Sequence, residues 1–314
     1  GMSSIAKYLK QKGDNVIGYD QRKSYVTNLL NQDGIKVVHT LEEIAYKPDS
    51  FYIYSSAIPI ESERFKDFYD KKNVVSRPEY LQNLSENHRI IGITGTHGKT
   101  STTALLSHIF HFNNLNVSYL YGGITTFNGI GGHYGDADQP LILETDEAFN
   151  TFEKINISDL LVLNVDSDHL DYFKNIDNYK DAFYKVMKNV TDNLVVNNDD
   201  LNIKSMKELK KSVAYGKDIS ADFKVQSPGI FIYKNNKYEI KSDIIGDHFK
   251  SNMLGAIILA LLNGIEIKDS LNAIESFPGV KRRIELIGRS KGVSIYDDYG
   301  HHPTEMEATI TALK

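Results

Sequence analysis

The chain has 314 residues, a net charge of −5, 41% hydrophobic and 25% charged residues, and no cysteine. Its length exceeds what one hydrophobic core usually holds, so two or three domains are expected. The acidic balance argues against a nucleic-acid or anionic-membrane binder. The lack of cysteine removes disulfide and thiolate chemistry and fits a reducing, cytoplasmic setting, and no apolar run reaches membrane-spanning length.

In chain order, residues 3–12 have helical spacing, with Ile5, Tyr8 and Leu9 on one side. Residues 16–20 (VIGYD) read as a strand ending in an acid, 24–31 as a helix, and 36–40 and 50–56 as strands, the last running into Ser55-Ser56. Residues 63–70 are amphipathic, 73–76 a strand, and 78–84 a short helix with Pro78 at its start. Strands alternating with helices imply a parallel, doubly wound sheet over residues 1–86. Asp20 stands where such a fold places its ribose-binding acid, but the strand and glycine turn that should precede it would lie before Gly1. A fragment of a longer protein is therefore expected.

After a polar break at Glu86-Asn87-His88 comes a second unit, 87–280. Residues 90–93 are an apolar strand, followed by Gly95-Thr96-His97-Gly98-Lys99-Thr100 and a helical stretch over 104–112. A strand, a glycine-bearing loop, Lys-Thr and a helix form a phosphate cradle. Backbone N–H groups and the helix N-terminus meet the anion, the lysine reaches the outer phosphates and the threonine hydroxyl suits Mg²⁺. The spacing departs from the general phosphate-loop pattern, because Ile93 stands where the first glycine should be.

Further strands are expected at 116–121, 140–143, 159–165 and 193–197, with short antiparallel strands within 221–240 turning at 234–237. The glycine-rich run 128–138 reads as a loop. Helices are expected at 179–188, 251–263 and 270–277. A third unit, 281–314, carries a strand at 293–296 and a helix opening near Pro303. Ligands of open α/β sheets sit at the carboxyl ends of the strands. The loop, Glu144-Thr145-Asp146-Glu147 and Asp168-His169 should therefore converge, which makes Thr100, Glu144 and His169 a candidate Mg²⁺ shell. His169 is its unusual member, since Mg²⁺ prefers oxygen. Glu147 reads as a solvated loop acid. Lys281-Arg282-Arg283 is either a solvated turn or a source of an arginine for a transferring phosphoryl group. The histidine pair His301-His302 lacks any zinc spacing.

Five ordered segments, GITGTHGKTSTT (92–103), ETDE (144–147), NVDSDHLDYF (164–173), GVKRRIELIG (279–288) and DDYGHHPTE (297–305), resemble the Mur ligases, ATP-dependent amino-acid-adding enzymes of peptidoglycan precursor synthesis. His97, Lys281-Arg282-Arg283 and the run 299–304 point to the branch that adds L-alanine to UDP-N-acetylmuramate. The resemblance implies three domains: a Rossmann-like UDP-substrate domain, a phosphate-loop ATPase domain with a mostly parallel sheet, and the start of an α/β amino-acid domain. It also implies an acyl-phosphate intermediate.

By the same carry-over, Gly95, Thr96, His97, Gly98, Lys99, Thr100 and Ser101 hold ATP, with Asn252 at adenine and Asp298 at the ribose or phosphates. Thr100 and Glu144 bind one Mg²⁺ and His169 a second. Arg283 faces the γ-phosphate, and Ser55, Ser56, Tyr299 and His301 serve the substrates. A monomer or weak homodimer is implied. Phe249 replaces the family's usual asparagine beside adenine, Phe183 stands where several relatives carry a carbamylated lysine, and most of the third domain would lie beyond Lys314. Two other readings stay open: a sibling ligase that attaches a recycled murein peptide to the same nucleotide, and a non-catalytic nucleotide sensor.

Overall fold

The computed structural model describes residues 1–168, 170–206 and 212–314. The amino-terminal unit comprises helix α1 (Met2–Lys12), strand β1 (Ile17–Tyr19), helix α2 (Tyr25–Gln32) and strands β2 (Lys36–Val38), β3 (Tyr52–Tyr54) and β4 (Val74–Ser76). Helix α3 (Arg77–Asn87) follows, opened by a capping box in which the Ser76 and Glu79 side chains each satisfy the other's backbone N–H. The doubly wound sheet expected for residues 1–86 appears as two separate parallel pairs, β1–β2 and β3–β4. The amphipathic stretch 63–70 forms only a 3₁₀ turn, Glu63–Phe65, that buries Phe65. Phe68, just beyond that turn, is buried as well.

The central unit runs β5 (Ile90–Thr94), α4 (Lys99–Phe112), β6 (Ser118–Thr125), β7 (Gly129–His133), β8 (Leu141–Glu144), β9 (Asp159–Val162), α5 (Leu170–Phe173), α6 (Ile176–Lys188), β10 (Asn193–Asn197), α7 (Leu201–Ser205), β11 (Ser212–Gly216), β12 (Phe223–Ser227), β13 (Ile230–Tyr233), β14 (Asn236–Glu239), α8 (Asp247–Leu262) and α9 (Ile267–Ser276). The third unit is a hairpin, β15 (Glu285–Ser290) and β16 (Val293–Asp297), and helix α10 (Pro303–Leu313). Ten strands form one sheet in the order β14-β13-β12-β11-β10-β9-β5-β8-β6-β7. Pairing is parallel from β6 through β12, and antiparallel where β7 and the β13–β14 hairpin close the two edges. Strands β5, β8 and β9 are almost wholly buried because helices cover both faces, which is why each reads as an unbroken apolar run.

One face packs against α4, α8 and α9, and the other against α1, α3 and α6. Helix α8 is apolar on every side because the sheet, α4 and α9 enclose it. The buried side chains of Leu254, Ile257, Ile258 and Leu259 each contribute about 1.5–3 kcal/mol. At the end of the sheet away from the candidate site, buried Asp159 accepts hydrogen bonds from Arg89 at 2.5 Å, Asn193 at 2.6 Å and Asn263 at 3.1 Å. That charge is compensated from three elements at once, as a buried carboxylate requires. Among the described residues no helix is long and apolar enough to cross a membrane.

The glycine-rich run 128–138, expected as a loop, contains edge strand β7. The cause is close approach. Helix α1 lies with its backbone against β7, and a Cβ on Gly132 would strike the Ser4 carbonyl. Ile130 of the same strand joins Leu30, Ile35 and Val37 in the small core of the amino-terminal unit, and Lys7 donates to the Asn128 and Ile130 carbonyls. Glycine here serves contact rather than flexibility. Gly132→Val should therefore lower stability by about 2 kcal/mol, within the usual range for overpacking, whereas Gly288→Ala, facing open space, should stay within about 0.5 kcal/mol. Calorimetric midpoints of the two variants check this.

Candidate active site

Strand β5 ends at Thr94, and Gly98, at φ 84°, turns the chain into α4. No side chain caps α4, so its first-turn N–H groups and positive dipole end remain available to an anion. Residue 98 favours glycine because of its left-handed φ, and a Cβ there would also have to displace the Asn252 amide. The loop is pinned by Asn164, just beyond β9. Its side chain accepts from the His97 N–H at 2.8 Å and donates to the His97 carbonyl at 3.0 Å. The Asn164 carbonyl accepts from the Thr96 N–H at 3.1 Å. Asn164 thus acts as an inserted strand partner, a role that nothing in the motif at 164–173 announces.

Lys99 curls back over this loop. Its Nζ donates to the Gly95 carbonyl at 2.7 Å and the Thr96 carbonyl at 3.1 Å, and lies 2.9 Å from each oxygen of Glu147. Glu147, read from sequence as a solvated acid, is 0% exposed. The correction has a physical cause: β8 delivers the loop after Glu144 directly beneath Lys99, and a carboxylate enclosed there must be paired. Burial opposes the Lys99 charge, but Glu147 and then Asp146 more than restore it, so its pKa is raised. Tyr179 of α6, which carried no sequence signal, lies between Thr96 and Glu147, with its hydroxyl 3.0 Å from Thr96 Oγ1 and 3.4 Å from Glu147 Oε1.

Thr100 Oγ1 donates to Glu144 Oε1 at 2.8 Å, and Glu144 Oε2 accepts from the Gly122 N–H at 2.6 Å. Two oxygen ligands from different elements already in contact are a donor set suited to Mg²⁺. His169, the third expected member, lies outside the described residues. Ser101, Asn252 and Arg283 line one narrow cleft beside α4, with Phe249 and Phe277 supplying its apolar walls. Arg283 reaches that cleft because the chain before it is tied to β6: Val280 bridges Thr125, and the Lys281 N–H donates to the Ile124 carbonyl at 2.8 Å. The three adjacent cations diverge. Lys281 approaches Tyr25 at 3.3 Å and Arg282 pairs with Asp297 at 3.4 Å, so only Arg283 lines the cleft.

The remaining candidates lie in the third and amino-terminal units. Asp298 is occupied in shaping the third unit, accepting from the Ile284 N–H at 2.8 Å and the Gly300 N–H at 2.7 Å. Tyr299 is half exposed, with the Arg282 and Arg283 guanidinium carbons 4.9 and 5.6 Å from its ring centre. His301 points to solvent, while His302 turns inward, its ring centre 4.8 Å from that of His97. Ser55 lines a cavity of about 240 Å³ together with Arg77 and Glu144, and Ser56 is exposed outside it. Phe183, at the position implied for a carbamylated lysine, is fully buried against Phe152 and Tyr179.

The His97 ring joins the central and third units. Its Nδ1 lies 3.1 Å from Glu305 Oε1 and its Nε2 3.4 Å from Asp166 Oδ2. Thr304 donates to the same Asp166 oxygen at 2.7 Å. Burial opposes a charge on His97, but hydrogen bonds and charge from Glu305 and Asp166 outweigh it, and its pKa is raised. Burial likewise opposes the Glu305 anion, yet His97 and the His301 N–H bring its pKa down to about 2.

Comparison with known proteins agrees with this arrangement. Residues 1–89 match the model described as the Mur ligase family, catalytic domain. Residues 93–260, more than half of the chain, match the Mur ligase middle domain, and 282–314 match the Mur ligase glutamate ligase domain. The UDP-N-acetylmuramate–L-alanine ligase of Caldicellulosiruptor saccharolyticus is 36% identical over 100% of this chain and 72% of its own length. The ligase of the same name from a Hydrogenobaculum species is also 36% identical, over 100% and 73%. Among solved structures, the UDP-N-acetylmuramate-alanine ligase of Thermotoga maritima superposes with a TM-score of 0.85 at 23% identity, covering 100% of this chain and 75% of that one. A murein peptide ligase from Psychrobacter arcticus gives 0.76 at 21%, covering 100% and 73%. A phosphate loop at the head of a ten-stranded sheet, a carboxylate beside its threonine, and relatives above 30% identity along the whole sequence lead to one conclusion: the chain belongs to the Mur ligase family.

Proposed function

We propose that the protein joins L-alanine to UDP-N-acetylmuramate, converting ATP to ADP and phosphate, as a step of peptidoglycan precursor synthesis. The observation that carries this reading is the seating of Lys99 and the Thr100–Glu144 pair at one loop–helix junction beside a cavity of about 240 Å³. The uncapped N-terminus of α4 and Lys99 suit the phosphates of ATP, and the cleft of Ser101, Phe249 and Asn252 suits its base. The Thr100 and Glu144 oxygens would hold Mg²⁺, which supplies charge neutralisation for the transferring phosphoryl group.

Each side chain then has a task. Glu147 keeps Lys99 charged and aimed along the loop. Arg283 offers a second cation to the departing phosphates. A carboxylate oxygen of the muramate attacks the γ-phosphorus as the bond to ADP breaks. The alanine amine then attacks the activated carbonyl, loses a proton and expels phosphate. This is positioning and electrostatics, the main needs of phosphoryl transfer. The relatives named for alanine support that acceptor over the murein peptide named for the Psychrobacter arcticus structure. In this reading the His97–Glu305 contact draws the third unit over the phosphate loop.

Two outcomes are expected. Phosphate release should require both UDP-N-acetylmuramate and L-alanine, and Lys99→Ala should lower its rate on the order of 10²–10³-fold. Release with a murein tripeptide but not alanine would move the assignment to the recycling sibling. Because the His97 pKa is raised in the folded protein, its ion pairs contribute fully below the ordinary histidine value of about 6.5 and are lost as pH rises through the raised value. Glu305 and Asp166 stay ionised throughout that window, their pKa values being lowered. His97→Gln should therefore cost a few degrees of thermal midpoint at pH 6, on the order of 1 kcal/mol, and less at pH 8.5. A pH-independent difference, read by scanning calorimetry, would contradict it.

A further inference from the structure

The pair His301-His302 has no zinc spacing along the chain, yet the fold gives His302 partners from two distant segments. One nitrogen each of His97 and His302 and one oxygen of Asp166 all lie within 4.8 Å of one another. His97 sits in the phosphate loop, Asp166 lies beyond β9, and His302 caps the start of α10. The group therefore spans the seam between the central and third units. The side chains of His97, Asp166 and His302 are 16%, 37% and 23% exposed, which leaves the seam open to a small solvated ion.

The distances suit a shared metal better than direct bonds. His97 Nε2 is 3.4 Å from Asp166 Oδ2, and His302 Nδ1 is 4.0 Å from the same oxygen. Both exceed a good N–H···O bond. Ligands held about 2.0–2.2 Å from a tetrahedral zinc stand about 3.3–3.5 Å apart, so a small inward movement completes the shell. Glu305 supplies a second, independent sign. Its Oε1 accepts from His97 Nδ1 at 3.1 Å. A carboxylate on one ring nitrogen fixes the tautomer and presents the other nitrogen, the arrangement usual behind a metal-bound histidine. The nitrogen so presented, Nε2, is the one that faces Asp166. His302 is oriented too: its Nε2 donates to the Ser167 carbonyl at 3.2 Å, which leaves Nδ1 as the acceptor, now of a 3.3 Å bond from the Thr304 N–H.

We infer that His97, Asp166 and His302 form a binding site for a divalent transition ion of the zinc type, which clasps the third unit to the phosphate loop. The ion takes the place of a proton on His97 Nε2, and that proton leaves to solvent. Two imidazoles and one carboxylate favour such an ion over Mg²⁺, which prefers oxygen throughout. The site uses no atom of the Thr100–Glu144 pair and does not depend on the ligase reading.

The test is calorimetric titration with Zn²⁺ in excess Mg²⁺, supported by Co²⁺ titration, in which a four-coordinate site strengthens the visible absorption. Wild type should bind Zn²⁺ that Mg²⁺ does not displace. His302→Gln should weaken that binding by at least about tenfold and Glu305→Gln by about 10–100-fold, whereas His301→Gln and Glu144→Gln should stay within about twofold. Zn²⁺ should also raise the thermal midpoint of wild type and leave that of His302→Gln unchanged. His97→Gln carries the same expectations and replaces His302→Gln if the latter fails to melt cooperatively. No Zn²⁺ binding in excess Mg²⁺ overturns the assignment, as does binding that persists unweakened in both histidine variants. Binding lost in Glu144→Gln overturns it as well, because the ion then sits at the phosphate loop's own oxygen ligands.

Discussion

The ion pair between Lys99 and Glu147 is the constraint around which the candidate site is arranged. Both groups are withdrawn from water, Glu147 completely. A buried pair seldom adds net stability over apolar residues of similar size, but removing one partner strands the other at a cost of about 3–5 kcal/mol. Its value here is positional. With two loop carbonyls and one carboxylate around it, the lysine cannot lose its proton or wander, and its charge lies at the open end of α4. The loop itself is rigid for a separate reason, because Asn164 bonds both the N–H and the carbonyl of His97.

The other units are arranged around that loop by the topology of the sheet. Parallel strands β5, β8 and β9 end at the same edge, so the phosphate loop, Glu144 and the segment carrying Asp166 meet without long-range design. The amino-terminal unit approaches through α1, held on β7 by glycine contact and by Lys7. The third unit approaches through α10, held at the loop by Glu305 and Thr304. Two interfaces thus meet at the central unit.

Much of this was legible in the sequence, for identifiable reasons. Buried parallel strands announce themselves as apolar runs, and the polar residues that end them mark the site, so the loop, Thr100 and Glu144 were placed by local pattern alone. Residues whose role depends on what lies across a gap were not legible. Glu147 sits one residue from Asp146 in an acidic run, and nothing local distinguishes the carboxylate beneath Lys99 from its neighbour. The glycines of β7 looked like a loop because their true reason, the α1 backbone against them, lies more than a hundred residues away. Adjacent histidines 301 and 302 are equivalent on paper; the first turn of α10 sends one to solvent and the other toward His97.

The chemistry proposed for this centre is transfer of a phosphoryl group from ATP onto a carboxylate. The most direct measurement supplies UDP-N-acetylmuramate labelled with ¹⁸O in its carboxyl group, together with ATP, Mg²⁺ and L-alanine, and follows the label by mass spectrometry. Activation by phosphoryl transfer predicts one labelled oxygen in the released inorganic phosphate and the other in the amide product. Phosphate released without label, from a protein that nevertheless forms the amide, would contradict the account.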